Sequence, residues 1–131
     1  MIVDPWSLHG SASARDMREP AEELAFYEQL GERNAAAIRS CEILIADLDG
    51  QEVDSGTAAE VGHAAGLGLL CLGLRTDLRQ SGEVGVQVNA QVAFFIHASG
   101  GVIARSLAEL SPCSTSYACH ATGSPPARAI A

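Results

Sequence analysis

Apolar residues in this chain gather in two ways, as unbroken runs and as stripes at helical spacing. Glu42-Ile43-Leu44-Ile45-Ala46-Asp47-Leu48-Asp49 has a continuous apolar centre, the composition of a strand covered on both faces in a parallel sheet. Leu69-Leu70-Cys71-Leu72-Gly73-Leu74 repeats that pattern, and Val102-Ile103-Ala104 is a third, shorter candidate strand. Between the first two runs, Ala58 to Gly66 reads as a helix of small residues able to lie close against a sheet. Capping chemistry precedes it in Asp54-Ser55-Gly56-Thr57. A helix is too long for a hairpin connection, so the two runs are expected to be parallel strands joined by a right-handed crossover.

The stripes complete the alternation. From about Glu19 to Ser40 no proline follows Pro20, which suits a first helical turn, and Leu24, Tyr27, Leu30, Ala35 and Ile38 form a rough apolar face that Gly31 is placed to bend or split. Val88 to Ala98 reads as a helix with Val88, Val92, Phe95 and Ile96 on one side, closed by Gly100-Gly101. Ser106-Leu107-Ala108-Glu109 has the form of a capping box and starts a last helix that Ser111-Pro112 cuts short. At the other end, Met1 to Trp6 is a strand stub ended by Pro5, and Ser7 to Ala14 is a loop. Residues 111–131 are rich in Ser, Ala, Thr and Pro and have no apolar period, so the expected organisation is one domain over 1–110 and a disordered tail over 111–131.

Composition narrows the function. With 131 residues, 47% of them hydrophobic, and a mean hydropathy of +0.14, there is apolar material for the core of one globular domain. Sixteen acids against eight basic residues leave a net charge of −8, which repels phosphate backbones and anionic headgroups. Nucleic-acid polymers and membrane surfaces are therefore excluded as partners. No apolar run approaches the roughly 20 residues of a span, and no basic leader follows Met1, so a cytoplasmic location is expected. The four cysteines show neither CxxC nor Cys/His ligand spacing, and no metal is expected. Cys41 and Cys71 belong to the core, Cys113 and Cys119 to the tail, and Cys119-His120 is a poor ligand set.

Five carboxylates, Asp47, Asp49, Glu52, Asp54 and Glu60, fall within fourteen residues directly after a buried strand and across a helix start. Ligands in open α/β sheets bind at the carboxyl ends of the strands, so this loop lies where a site belongs. Helical side chains lean toward the N-terminus, which lets Glu60 in the second turn point into the cleft that Asp54 borders. From the residues alone two readings stand side by side: two acids converging on a ligand, or a helix cap and a solvated glutamate.

The run D-G-Q-E-V-D-S-G-T-A-A-E-V-G-H-A, Asp49 to Ala64, closely resembles the signature D-G-x-x-x-D-x-G-T-x-x-E-x-G-x-A of the nucleoside 2-deoxyribosyltransferase family. The resemblance implies a flavodoxin-like three-layer α/β sandwich with a parallel sheet. It implies Glu60 as nucleophile and Asp54 as the residue that binds sugar hydroxyls and orients it, with Asp49, Gly50, Ser55 and Gly56 around the substrate. It also implies that Asn89 enters a neighbouring subunit's site in a homodimer or larger homo-oligomer. The partner is then a small nucleoside or nucleotide, with no cofactor. A carboxylate attacks C1′ as the base leaves, and a second base or water attacks the covalent glycosyl-enzyme from the same face, giving net retention.

The chain departs from the family in two places. An acid often found near the departing base falls at Asn34, which cannot deliver a proton; Asp47 and Asp49 are the substitutes at hand. A further strand and helix that normally open the fold have no counterpart in the pattern read above, so an amino-terminally truncated member is expected. In the order 2-1-3-4-5 that strand is central, so its loss is expected to leave a gap or make two strands re-pair. Two other readings therefore compete with the transferase: a nucleoside 5′-phosphate N-glycoside hydrolase, and a catalytically silent nucleotide-binding or assembly domain. His63 and Trp6 are candidates for touching substrate and Arg75 and Arg79 for meeting a 5′-phosphate, with packing or surface solvation the plainer role for each.

Overall fold

The computed structural model describes residues 2–3, 20–79, 85, 87–110 and 129–130. Five strands and three helices alternate along them: β1 (Ile2–Val3), α1 (Pro20–Arg39), β2 (Ile43–Asp47), α2 (Ser55–Gly66), β3 (Leu70–Leu74), α3 (Ala90–Ala98), β4 (Ile103–Ala104) and β5 (Ala129–Ile130). The strands form one sheet in the order β1-β5-β2-β3-β4, and every pairing is parallel. The fold is α/β and flavodoxin-like. Its backbone ladder is longest between β2 and β3, which stay in register from Ile43 opposite Leu70 to Asp47 opposite Leu74. These are the two continuous apolar runs of the sequence.

The side of the sheet on which each helix lies follows from strand order. The steps β1 to β2, β2 to β3 and β3 to β4 all advance in one direction, so right-handed crossovers put α1, α2 and α3 on the same face. Ile38 of α1, Val61 and Ala64 of α2, and Val92 and Ile96 of α3 pack there with Leu44, Ala46 and Cys71. The opposite face carries Ile43, Leu70, Leu72 and Ala104, together with Leu110 from a helical turn at 107–110. Alternation of side chains in a strand makes this division obligatory. Leu48, Leu72 and Ile96 are among the most buried side chains, and truncating such a residue to alanine typically costs about 2–5 kcal/mol.

Several boundaries differ from those expected. α3 begins at Ala90, not Val88, because the Asn89 side chain accepts from the backbone N–H groups of Gln91 (2.9 Å) and Val92 (3.4 Å) and so sets the first turn. Val88 is buried just outside it. α1 runs unbroken through Gly31, which is exposed, so the helix is not split there. Leu24 and Tyr27 of its expected core face are 61% and 57% exposed, since the helix meets the sheet only from its second half, at Ile38. At Gly101 an added Cβ would lie 1.7 Å from the Cys71 carbonyl oxygen, so only glycine lets the chain return into β4 so close to β3.

The central position that the resemblance leaves vacant, between β1 and β2, is filled. β5 pairs there with both neighbours, Ile2 and Ile43 opposite Ala129, Val3 and Leu44 opposite Ile130. These two residues belong to the tail whose composition offers no strand pattern; the rest of the tail, 111–128 and 131, lies outside the described residues, as do Trp6 and the loop at Ser7 to Ala14. Unpaired backbone groups on two parallel strands supply the reason for β5: N–H and C=O groups away from water are costly unless bonded, and any short extended segment satisfies them.

Candidate functional site

The site begins where β2 ends. Asp47 accepts from the Asp49 N–H at 3.0 Å, turning the chain, and Gly50 follows with φ +115°, a left-handed conformation that side chains rarely adopt. The Asp49 carboxylate reaches across to the loop after β3. It accepts from the Thr76 N–H (2.6 Å), the Thr76 hydroxyl (2.5 Å) and the Asp77 N–H (2.9 Å). Those donors, the Thr76 hydroxyl first, hold Asp49 below the usual carboxylate range. Asp49 is thus a tie between two loops, and its ionised form is not a proton donor for a departing base.

A second tie runs the other way. Arg75 is only 3% exposed, and its guanidinium donates to the carbonyls of Leu48, Gly50 (3.1 Å) and Arg79 (2.9 Å). Surface solvation, expected of Arg75, is replaced by burial, because two carbonyl groups just after β2 and one in the loop after β3 converge on it. Arg79 remains exposed and is paired with Asp77, which it holds far below the ordinary carboxylate value.

The acid Asp54 is the N-cap of α2. Its Oδ2 accepts from Gly56 N–H (2.9 Å) and Thr57 N–H (3.1 Å), and Gly56 leaves room for it, since a Cβ there would come within 2.9 Å of that oxygen. Ser55 and Gly56 are exposed in the first turn. Asn89 caps α3 in the same manner. Asp49, Asp54 and Asn89 are therefore each held by main-chain N–H groups.

Glu60 is held differently. It sits half-buried in α2, about 9 Å along the helix axis from the cap, beside the fully buried Val61. Its Oε1 accepts from Asn34 Nδ2 of α1 at 3.4 Å, while Asn34 Oδ1 is buried with no hydrogen-bond partner among the described residues. The amide of Asn34 thus faces the glutamate across the α1–α2 interface. Pattern reading found both residues but not their pairing, which depends on how two helices cross. His63 is exposed on α2. What the sequence reading missed is Thr76, the partner of Asp49, whose only signal is the polar Arg75-Thr76-Asp77 run closing an apolar strand.

Cys41 and Cys71 are free and buried, and burial pushes the Cys71 thiol up. Among the described residues no three His, Cys, Asp or Glu side chains gather as metal ligands, and no helix is long and apolar enough to cross a membrane. A family model described as nucleoside 2-deoxyribosyltransferase matches residues 2–103. No curated protein matches the chain.

Proposed function

The chain belongs to the nucleoside 2-deoxyribosyltransferase family, and on that premise we propose that it cleaves the N-glycosidic bond of a (deoxy)nucleoside or nucleotide at Glu60 and passes the sugar to another base. The observation that carries this is the placement of Glu60 itself, half-buried in α2 at the second turn after the Asp54 cap and accepting from the Asn34 side-chain amide across the α1–α2 interface. A carboxylate so placed is a nucleophile with a fixed direction of attack.

In the proposed reaction a Glu60 oxygen forms a bond to C1′ while the C1′–N bond breaks and its electron pair leaves with the base. The base takes a proton from water, since Asn34 has none to give. A nitrogen of the incoming base then attacks C1′, the ester bond to Glu60 breaks, its electron pair restores the carboxylate, and the proton of the attacking nitrogen passes to the hydroxide left by the first step. Asp54 keeps Oδ1 outside the cap for a sugar hydroxyl, and Gly50, Ser55 and Gly56 line the approach. Asn89 completes a neighbouring subunit's pocket, in a homodimer or larger assembly whose apolar contact is supplied by exposed Leu24, Tyr27 and Phe94.

Transfer to water is the same chemistry with a different acceptor. A silent binding domain is the reading favoured by Asp54 and Asn89 already serving as caps. Incubation with a deoxynucleoside and a second free base separates the three by base exchange, base release or no reaction. Glu60→Gln removes the attacking charge at nearly constant size, and turnover is expected to fall by roughly three orders of magnitude or more with the melting temperature little changed. Undiminished turnover in that variant would defeat the assignment.

A further inference from the structure

Four residues spaced four apart on α1, Phe26, Leu30, Asn34 and Ile38, share one side of the helix; the first three are half-buried and Ile38 is buried. Three of the four are apolar. An amide in such a stripe gives up water at both its ends, which is unfavourable unless each end finds a partner. Only one end of Asn34 is bonded: Nδ2 donates to Glu60 Oε1 at 3.4 Å, while Oδ1 is buried with no hydrogen-bond partner among the described residues. Packing by itself favours an apolar residue at this position, and a polar bridge that serves the fold has both ends satisfied. The orphan carbonyl is therefore tolerated for the sake of the N–H2 end, and that end is turned to Glu60.

Both stems of the pair are fixed. The last turn of α1 is fastened by Ser40, whose N–H donates to the Ala37 carbonyl at 3.0 Å and whose hydroxyl donates to it at 2.7 Å, and by the buried Cys41, whose thiol donates to the same carbonyl at 3.3 Å. Asn34 lies one turn before the buried Ile38. On the other side Val61 and Ala64 are fully buried, which holds the α2 backbone beside Glu60. Ala37 of α1 and Ala58 of α2 pack against the same core, and residues this small let two helices approach closely enough for the short asparagine side chain to reach across. What the backbone leaves undetermined is the set of three torsions in the Glu60 side chain. In-line attack on C1′ needs one setting of them, and the other rotamers are unproductive.

On the reading of Glu60 as nucleophile, on which this inference rests, we propose that Asn34 is its positioning residue: the Nδ2 donor selects the rotamer that faces C1′, and it serves Glu60 and not the departing base. The task calls for a neutral donor. An amide N–H holds an ionised carboxylate without competing for a proton, and the same bond persists when Oε1 becomes the carbonyl oxygen of the glycosyl ester and when it returns to a carboxylate. No donor has to move in either displacement. An aspartate of the same shape would set two carboxylates against each other, and the pair would then share a proton that the attacking group must not carry. Leucine, also of similar shape, would fill the stripe and leave the Glu60 rotamer unselected.

The test compares the full chain as wild type, Asn34→Leu, Asn34→Ala and Asn34→Asp, with melting curves to establish which variants are folded; alanine serves if leucine does not fold. The first measurement needs no substrate. Three-bond couplings of the Glu60 side chain, read by nuclear magnetic resonance, are expected to report one rotamer in wild type and averaging over several in Asn34→Leu or Asn34→Ala. Averaging already present in wild type, or a single rotamer kept in the variants, overturns the proposal. The second measurement is base exchange between a deoxynucleoside and a second free base. kcat is expected to fall about tenfold or more in Asn34→Leu and Asn34→Ala with KM changed less than about twofold, and to fall further in Asn34→Asp. A change confined to KM, or an Asn34→Asp variant faster than Asn34→Leu, overturns the proposal, the latter by assigning the position to proton delivery. A wild type that neither exchanges nor releases base, with the couplings behaving as expected, defeats the proposed function and still shows Asn34 holding Glu60.

Discussion

Asp49 shows how a single side chain links the sequence motif to stability. Its carboxylate collects three donors from the loop after β3, and they lower its pKa below the ordinary 3.8. A carboxyl group whose folded pKa is depressed contributes stability that is complete above its unfolded value and is lost as pH falls through the folded one. Asp49→Asn keeps one acceptor and places an N–H2 against donors, so it is expected to melt lower than wild type at pH 7. The difference should shrink below about pH 4, where Asp49 of the unfolded chain begins to protonate, and vanish once the folded protein takes up the proton as well. Melting temperatures measured from pH 2.5 to 7 test this, and a difference independent of pH would refute it. Asp77, held down by Arg79, shapes the acid limb of both proteins with the same sign.

At the scale of elements, the two capped helices carry the candidate residues Asp54, Glu60 and Asn89. Asn89 accounts for the first turn of α3, and replacing an N-cap of this type with alanine costs about 1 kcal/mol. Asn89→Ala is expected to lower the melting temperature by that modest amount. On the shared-site reading it also cuts activity far more than a lost cap can. Mixing inactive Glu60→Gln with inactive Asn89→Ala should then restore part of the activity, because a mixed dimer holds one pocket with both residues intact. No recovery in mixtures whose subunits exchange would confine Asn89 to its capping role. The apolar face of α1 has a related meaning: Leu24 and Tyr27 follow the helical spacing read from the chain, yet the isolated chain leaves them exposed, so the stripe marked an amphipathic helix without marking which part of it the sheet would cover.

At the scale of the whole molecule, β5 decides whether the sheet is continuous. It is a central strand made of two residues from the far end of the chain, paired on both sides. Ending the chain at residue 128 removes those pairings and leaves β1 and β2 with unsatisfied edges. The expected outcome is a lower melting temperature and faster hydrogen exchange at Ile43 and Leu44, with little change at Leu72 and Gly73, which β3 contributes on the far side of β2. Exchange that is unchanged at Ile43 and Leu44 would show that β5 adds nothing to the sheet. The physical reason to expect an effect is that a parallel ladder buried on both faces has no water to replace a lost strand.

What the sequence determined by itself is local and periodic. The continuous apolar runs became β2 and β3, the small-residue stretch became α2, and the Ser106 box became a helical turn in which Ser106 Oγ accepts from Glu109 N–H and Glu109 accepts from Arg105 N–H. Patterns of two and 3.6 residues, and capping chemistry three residues apart, are written in neighbours along the chain. The signature from Asp49 to Ala64 is of the same kind, and so the family and the candidate nucleophile were legible in it. Tertiary structure decided everything that depends on which distant groups meet. It set the amide of Asn34 against Glu60 and drew Arg75 inward onto the carbonyls of Leu48 and Gly50. It also called a strand from Ala129–Ile130, where no periodicity marks one, because the need for it arises from open backbone groups on β1 and β2 and not from the residues that meet the need.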